Sequence, residues 1–341
     1  MESKNKSVTV KDVASLAKVA PSTVSLVLNN SPRVREETRN KVLKAIKELN
    51  YIPNNFAVSL RQSISICVGV IVPSLSNTFY VDIINGLKRR CSEANIPIYI
   101  SETNHNLKEE ENQIQILRGV KANRFVIIGT KGDEHLIEPL TINNRVVYID
   151  KCDNTGKIPY IMIDNYKSSY DACKYLINKG CKNIYYITQS VMTQPLINRK
   201  DGFIECLKDS GLAYENKVIH TNEVCTNKME SGYLAMKNIL ESHKPDGIIA
   251  ASDQIAVGAL RLLHEYGVKV PEDISIIGFD NIEISKYSIP TLTTISQPMR
   301  QMGELAFSII TSETNEDQRY YGKSDKCFIL KHDFIIREST R

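Results

Sequence analysis

No stretch of this 341-residue sequence stays apolar for the ~18 residues that a membrane-crossing helix requires. The amino end, MESKNKSVTV, also lacks the apolar segment and small-residue cleavage site of a secretory signal, so a cytoplasmic protein without a membrane partner is expected. Paired cysteines are missing as well: the eight cysteines lie far apart with no CxxC, and the six histidines are equally scattered. Reduced thiols, mostly buried as small hydrophobes, are the expectation, with no metal, no disulfide framework and no cofactor. Absent too are GxGxxG behind a strand, GxxxxGK[ST] and GxSxG, and no histidine shares a recognisable frame with a Ser or Cys nucleophile. These gaps weigh against dehydrogenase, P-loop and hydrolase chemistry and favour a binding protein over an enzyme.

What is present begins with length and charge. A chain of 341 residues exceeds the size at which a single core keeps growing, so two or more domains are expected. The formal net charge of +4 conceals an asymmetry. Residues 1–62 hold eleven Lys/Arg against five Asp/Glu, a net of +6, which leaves the other 279 residues at −2. A small basic module on a mildly acidic body is the footprint of a polyanion-binding head. Charge alone leaves this even with a merely solvated helix face.

The segment VKDVASLAKVAPSTVSLVLNN, residues 10–30, then decides. Thr9 stands at an N-cap position with Asp12 three residues on, and Val13, Leu16 and Ala17 form the apolar stripe of a helix over about 9–17. Lys18-Val19-Ala20 makes a turn, and Pro21-Ser22 opens a second helix with Val24, Val27 and Leu28 inward, ending before Asn29-Asn30-Ser31-Pro32. A third helix begins near Val34 with Val42, Leu43, Ile46 and Leu49 as its stripe and stops at Tyr51-Ile52-Pro53. Three short helices with a tight first turn form a helix-turn-helix unit whose second helix enters the major groove of DNA.

The run T-V-K-D-V-A-x-x-A-x-V-x-x-x-T-V-S-x-V-L-N, followed by T-R-x-K-V and Y-I-P-N, resembles the headpiece of the LacI/GalR (lactose-repressor) transcription regulators from Thr9 to Asn54. The resemblance implies that Pro21 and Ser22 read base edges while Thr23, Ser25 and Asn29 bond phosphates, with further DNA contacts from Thr9, Val10, Arg33, Tyr51 and Asn54. Many members carry an arginine where this chain has Leu26, which offers only an apolar contact, for instance to a thymine methyl. Residues 54–63, NNFAVSLRQS, resemble the family hinge, a helix too short to stand alone that orders on pairing in the minor groove. Leu60 then matches the residue wedged into a base step, Ala57 permits close approach, and Val58 replaces an arginine often found there.

From Ile64 the rhythm changes to apolar β-branched runs alternating with amphipathic stretches such as 82–94, 109–121, 167–179 and 254–266. Such alternation means parallel sheets covered on both faces, and about ten strands suit two doubly wound halves better than one. The expected architecture is an N-terminal all-α helix-turn-helix headpiece (1–53), a hinge (54–63), and an α/β two-lobed, periplasmic-binding-protein-like (type I) body (64–341). Its first lobe is expected to comprise about 64–164 and 292–325, its second about 165–291 and 326–341.

In such a body the ligand belongs in the crevice at the carboxyl ends of the strands. Candidates past strand ends are Ser76-Asn77-Thr78-Phe79-Tyr80, Asp150, Asp164-Asn165, Ser252-Asp253 and Phe279-Asp280-Asn281, joined by Arg199 in NRKDGF. Phe79 and Tyr80 read equally as core, and Asp164 and Asp253 equally as structural caps. The resemblance continues through SNTFYVDIINGL, R-x-x-G-F, SDQIAVGAL, ISIIGFDN and LTTISQP, and it implies effector contacts from Phe79, Tyr80, Arg199 and Asp280, with Asp150, Asn227 and Ser252 behind them. It implies a repressor that binds a pseudo-palindromic operator as a homodimer under control of a small effector, a sugar or sugar derivative. The competing reading is a cytoplasmic sugar-binding protein without a DNA role, against which the basic headpiece argues.

Overall fold

A computed structural model describes residues 8–28, 31–51, 66–130, 137, 140–142, 144–221, 227–312 and 326–341. The chain divides into two units, residues 1–65 and 66–341.

In the first unit, Thr9 caps helix α1 (Val10–Ala17) through a reciprocal box: its hydroxyl accepts from the Asp12 amide, and the Asp12 carboxylate accepts from the Thr9 amide at 2.7 Å. The helix ends at Lys18 in the left-handed region (φ 54°), which turns the chain sharply into α2 (Pro21–Leu28). Pro21 suits the first helical position because its missing N–H would have had no partner there. Helix α3 (Glu36–Glu48) closes the unit over a core of Val13, Ala14, Ala17, Val24, Val27, Val42, Ala45 and Tyr51. Two expected core residues lie outside it: Leu16 and Leu43 are exposed, while Ala14 and Ala45 are buried. The small alanines let the helices approach closely, which centres the buried arcs on them and leaves the leucines on the flanks.

Among the described residues the second unit holds two sheets of six strands. The first contains β1 (Val68–Val72), β2 (Ile98–Glu102), β3 (Arg124–Ile128), β4 (Arg145–Ile149), β5 (Tyr160–Ile163) and β11 (Cys327–Leu330), in the order β11-β5-β4-β3-β1-β2 and wholly parallel. The second contains β6 (Ile184–Thr188), β7 (Val218–His220), β8 (Gly247–Ala250), β9 (Ser275–Asp280), β10 (Thr293–Ser296) and β12 (Asp333–Ile335), in the order β12-β10-β9-β8-β6-β7. Among the described strands only β12 runs antiparallel to its neighbour. The inner strands β1, β6, β8 and β9 are buried at every residue, as strands covered on both faces must be.

Helices cover the sheets: α4 (Thr78–Glu93), α5 (Leu107–Gly119), α6 (Asn165–Asn178), α7 (Gln194–Asp209), α8 (Lys228–Ser242), α9 (Asp253–Glu265), the short α10 (Ile284–Tyr287) and α11 (Met299–Thr311). Side chains of Asn77, Asn106, Asp164, Asn227 and Ser252 cap α4, α5, α6, α8 and α9.

The pairing corrects the expected lobe boundaries. Strand β10, expected in the first lobe, pairs with β9 in register Thr293↔Ile277 and so belongs to the second. Strand β11, expected in the second, pairs with β5 in register Cys327↔Tyr160 and belongs to the first. Pro290 marks a break in the sequence, but strand pairing decides membership, and the crossing falls after β10, where α11 turns back to pack on α4 and β4. The chain thus passes between lobes three times, after β5, β10 and β11.

Among the described residues the cysteines are free, no cluster of His, Cys, Asp or Glu suits a metal ion, and no helix is long and apolar enough to cross a membrane.

Candidate functional site: a headpiece helix and an interlobe cleft

In the headpiece, α2 buries only Val24 and Val27. Pro21, Ser22 and Leu26 are exposed, and Thr23 and Ser25 are half-exposed, so one face of a short helix stands clear of its own core. Thr9 and Arg33 are exposed and Val10 is half-buried. The Arg39 guanidinium donates to the Ser31 carbonyl at 2.6 Å and fastens the chain beyond α2 to α3. Tyr51 is buried in the headpiece core, so its ring holds the three helices together. Asn29, Asn54, Ala57, Leu60 and the whole hinge 54–63 lie outside the described residues.

The second unit carries a cleft of about 720 Å³ at the carboxyl ends of the strands, lined from both lobes. Chain leaving β1 brings Phe79 and Tyr80, chain leaving β4 brings Asp150, and β8 and β9 deliver Ser252 and Asp280. Arg199 rises from α7. All seven residues expected at the effector site line this one cleft, Asn227 included.

Arg199 is 4% exposed and its position is fully specified. Its Nε donates to Asn165 Oδ1 at 2.7 Å, its Nη1 donates to the Ala251 carbonyl at 2.9 Å, and its guanidinium lies 3.5 Å from the Phe279 ring centre. Among the described residues these two bonds use Nε and Nη1 and none is made by Nη2. Asp280 accepts from Gln297 Nε2 at 2.7 Å. Both Asp150 (φ 55°) and Asp280 (φ 114°) hold backbone angles that side-chain-bearing residues rarely adopt, a strain of order ~1–3 kcal/mol each of the kind that collects at working sites.

Burial pushes the Asp150 carboxyl up to about 6, with the Arg199 charge opposing the shift and Asp280 adding to it. Burial likewise raises the Asp280 carboxyl, against the pull of Arg199 and Lys228 and the bond from Gln297. Tyr80 is buried and faces both carboxylates, so its phenol stays protonated and available as a donor. Gly129 (φ 54°) makes room for that phenol, because a Cβ there would stand 2.9 Å from the Tyr80 hydroxyl. The two readings of the aromatic pair merge: Phe79 and Tyr80 belong to the core, 5.3 Å apart edge to face, and line the cleft as well.

Asp164 and Asp253 both serve the fold. The Asp164 carboxylate accepts from the Lys167 amide at the start of α6. Asp253 is fully buried, its two oxygens accepting from the Thr294 hydroxyl at 2.6 Å and the Ile282 amide at 2.8 Å, which ties β10 to the loop after β9. Asn227 and Ser252 cap their helices and face the cleft at once.

Asn165 and Phe279, both candidates past strand ends, position Arg199. Sequence reasoning missed two contributors: Gln297 anchors Asp280, and Lys228, half-buried on the first turn of α8, is a second cation in the cleft. Lys228 directly follows an expected effector contact, Asn227, and a rule that scans the whole first turn of cleft-facing helices would have found it. Gln297 left no local signal.

Comparison with known proteins agrees with both parts. Residues 9–54 match the profile of bacterial regulatory proteins, lacI family, and residues 173–340 that of a periplasmic binding protein-like domain. The chain is 30% identical to the HTH-type transcriptional regulator RegA of Clostridium saccharobutylicum, over 97% of this chain and 98% of the relative. It is 31% identical to catabolite control protein A of Priestia megaterium, over 98% and 99%. Among solved structures it is similar to the Lac repressor dimer bound to operator and the anti-inducer ONPF, with a TM-score of 0.82 at 26% identity, covering 98% of this chain and 99% of that one.

Proposed function

Because this chain belongs to the lacI family of bacterial regulatory proteins, we propose that it is a repressor that binds a pseudo-palindromic operator as a homodimer and answers to a small molecule in the cleft. It acts in the cytoplasm, and as a regulator rather than an enzyme; the relatives that it matches are named as a transcriptional regulator and a control protein. The observation that carries the DNA role is the exposed face of α2: a helix that buries two valines and offers Pro21, Ser22 and Leu26 outward behind a tight turn. Pro21 and Ser22 read base edges, Leu26 meets an apolar base edge, and Thr23, Ser25 and Asn29 bond phosphates, with Thr9, Val10, Arg33, Tyr51 and Asn54 at the margins. Residues 54–63 form the hinge, with Leu60 as its wedge and Ala57 allowing close approach.

The effector-binding body starts at about residue 64. Phe79, Tyr80, Asp150, Arg199 and Asp280 contact the effector, a sugar or sugar derivative, with Asn227 and Ser252 behind them. Carboxylates and a guanidinium form charge-assisted bonds to hydroxyls, and aromatic faces cover the apolar side of a sugar ring. One relative of known structure is the Lac repressor dimer on its operator, which supports both the dimer and the duplex partner. Selection from a random duplex library by the full-length chain tests the proposal. Enrichment of inverted half-sites about one helical turn apart, centre to centre, is expected, and enrichment of no common sequence would refute it.

A further inference from the structure

Two fully buried thiols that neither the headpiece nor the cleft uses, Cys173 of α6 and Cys206 of α7, face each other across a helix crossing. Gly202 sets the closeness of that crossing, since a Cβ on it would stand 2.1 Å from the Tyr166 carbonyl oxygen. Cys173 lies two turns beyond Tyr166 and Cys206 one turn beyond Gly202, so both return to the faces that touch. Their sulfurs meet there: the Cys173 thiol donates a hydrogen bond to Cys206.

Further bonds hold the two helices together around the pair. Tyr170 Oη donates to Asp209 at 2.9 Å, Lys174 Nζ donates to Ser210 Oγ at 3.3 Å, and Arg199 Nε donates to Asn165 Oδ1 at 2.7 Å. The surroundings make the two sulfurs unequal. The hydrogen bond from Cys173, the Lys174 ammonium and the Ser210 hydroxyl hold the Cys206 thiol below its usual range, against burial and the Asp209 carboxylate. That same hydrogen bond and burial push the Cys173 thiol up. A depressed thiol beside a cation, with a second sulfur in contact, is the arrangement of a reactive cysteine and its resolving partner. Ser210, bonded to Cys206, and Lys174, bonded to Ser210, are both partly exposed, so the path from solvent to the sulfur is short.

We propose that Cys173 and Cys206 are a peroxide-sensitive pair that closes into a reversible disulfide and staples α6 to α7. The Cys206 thiolate attacks one oxygen of hydrogen peroxide and breaks the O–O bond, leaving a sulfenic acid, while the departing hydroxide takes up a proton as water. The Cys173 sulfur then attacks the Cys206 sulfur and displaces its hydroxyl, which leaves with the Cys173 proton as a second water. Two thiols thus give up two electrons, and one peroxide is reduced to two waters. Both helices serve the cleft, α6 through Asn165 and α7 through Arg199, so the staple stiffens the frame that holds the guanidinium.

Peptide mapping of the full-length protein without reduction, before and after hydrogen peroxide, tests this. Peroxide is expected to produce one linked peptide pair joining Cys173 to Cys206, about 2 Da lighter than its separate parts, and dithiothreitol should undo it. The oxidised protein should melt roughly 5 °C above the reduced one, because the staple closes residues 173–206 into a ring and constrains the unfolded chain. That rise should be absent from Cys173→Ser treated alike. In Cys173→Ser the peroxide should leave a sulfenic acid on Cys206 that dimedone captures, whereas Cys206→Ser should yield no dimedone adduct on Cys173. Both thiols remaining free while other cysteines oxidise, either sulfur linked to a different cysteine, or an oxidised wild type that melts no higher than the reduced form overturns the proposal. Dimedone captured by Cys173 in Cys206→Ser overturns the order of attack. The wild-type map decides the pairing even where a variant fails to fold.

Discussion

Arg199 is immobilised before any ligand arrives, by the Asn165 amide oxygen, the Ala251 carbonyl and the Phe279 ring. A guest therefore meets a preset donor array and loses little affinity to ordering it. Arg199→Ala is expected to remove the response to effector while operator affinity without effector stays at the wild-type level, as a gel-shift titration would reveal. Asp150 carries a pH prediction. Its folded carboxyl titrates near 6, above the ~3.9 of an unfolded aspartate. Between those values the folded state holds more protons than the unfolded state, so this group lowers stability as pH rises from about 4 to about 6. Asp150→Asn should flatten that fall in melting temperature; an identical pH profile would remove Asp150 from the account. At this scale the sequence was informative where a residue type followed a strand end, as for Asp150 and Asp280. It was silent where a residue acts through another, as Gln297 does on Asp280.

Helix crossings explain several glycines that no motif marks. Where α4 crosses α11, a Cβ on Gly86 would stand 2.2 Å from the Arg300 carbonyl oxygen, and one on Gly303 would stand 2.0 Å from that of Ile83. Backbone sits against backbone here, so nothing can yield. Gly303→Ala should destabilise the protein by about 1–3 kcal/mol, the usual cost of overpacking. Gly119, at the end of α5, has open space around it, and Gly119→Ala should be neutral or raise stability by up to about 1 kcal/mol. Denaturant midpoints of the two variants, moving in the same direction, would contradict this packing. Element positions were legible because their periods are local: the apolar runs at 66–72, 184–187 and 274–277 all became strands. Lobe membership was not legible, because β10 and β11 are assigned by partners more than ten residues away in sequence, Ile277 and Tyr160.

Gln297 bonds the cleft-lining Asp280 and lies between β10 of one lobe and α11 of the other, so the cleft touches the chain where it crosses. We expect Gln297→Ala to weaken effector binding and to reduce its effect on DNA, with operator affinity in the absence of effector unchanged. Coupling between cleft and DNA is reciprocal: whatever factor the effector applies to operator affinity, the operator applies to effector affinity, typically ~5–150-fold. On the proposed wedge role, Leu60→Ala should lower operator affinity and leave effector binding intact. The most direct test is operator affinity of the full-length protein, by fluorescence anisotropy, with and without a saturating ligand shown by calorimetry to occupy the cleft and to need Arg199. A shift of at least ~5-fold is predicted, matched by an equal shift in ligand affinity when operator is present. Operator affinity that does not change with the cleft filled would contradict the account.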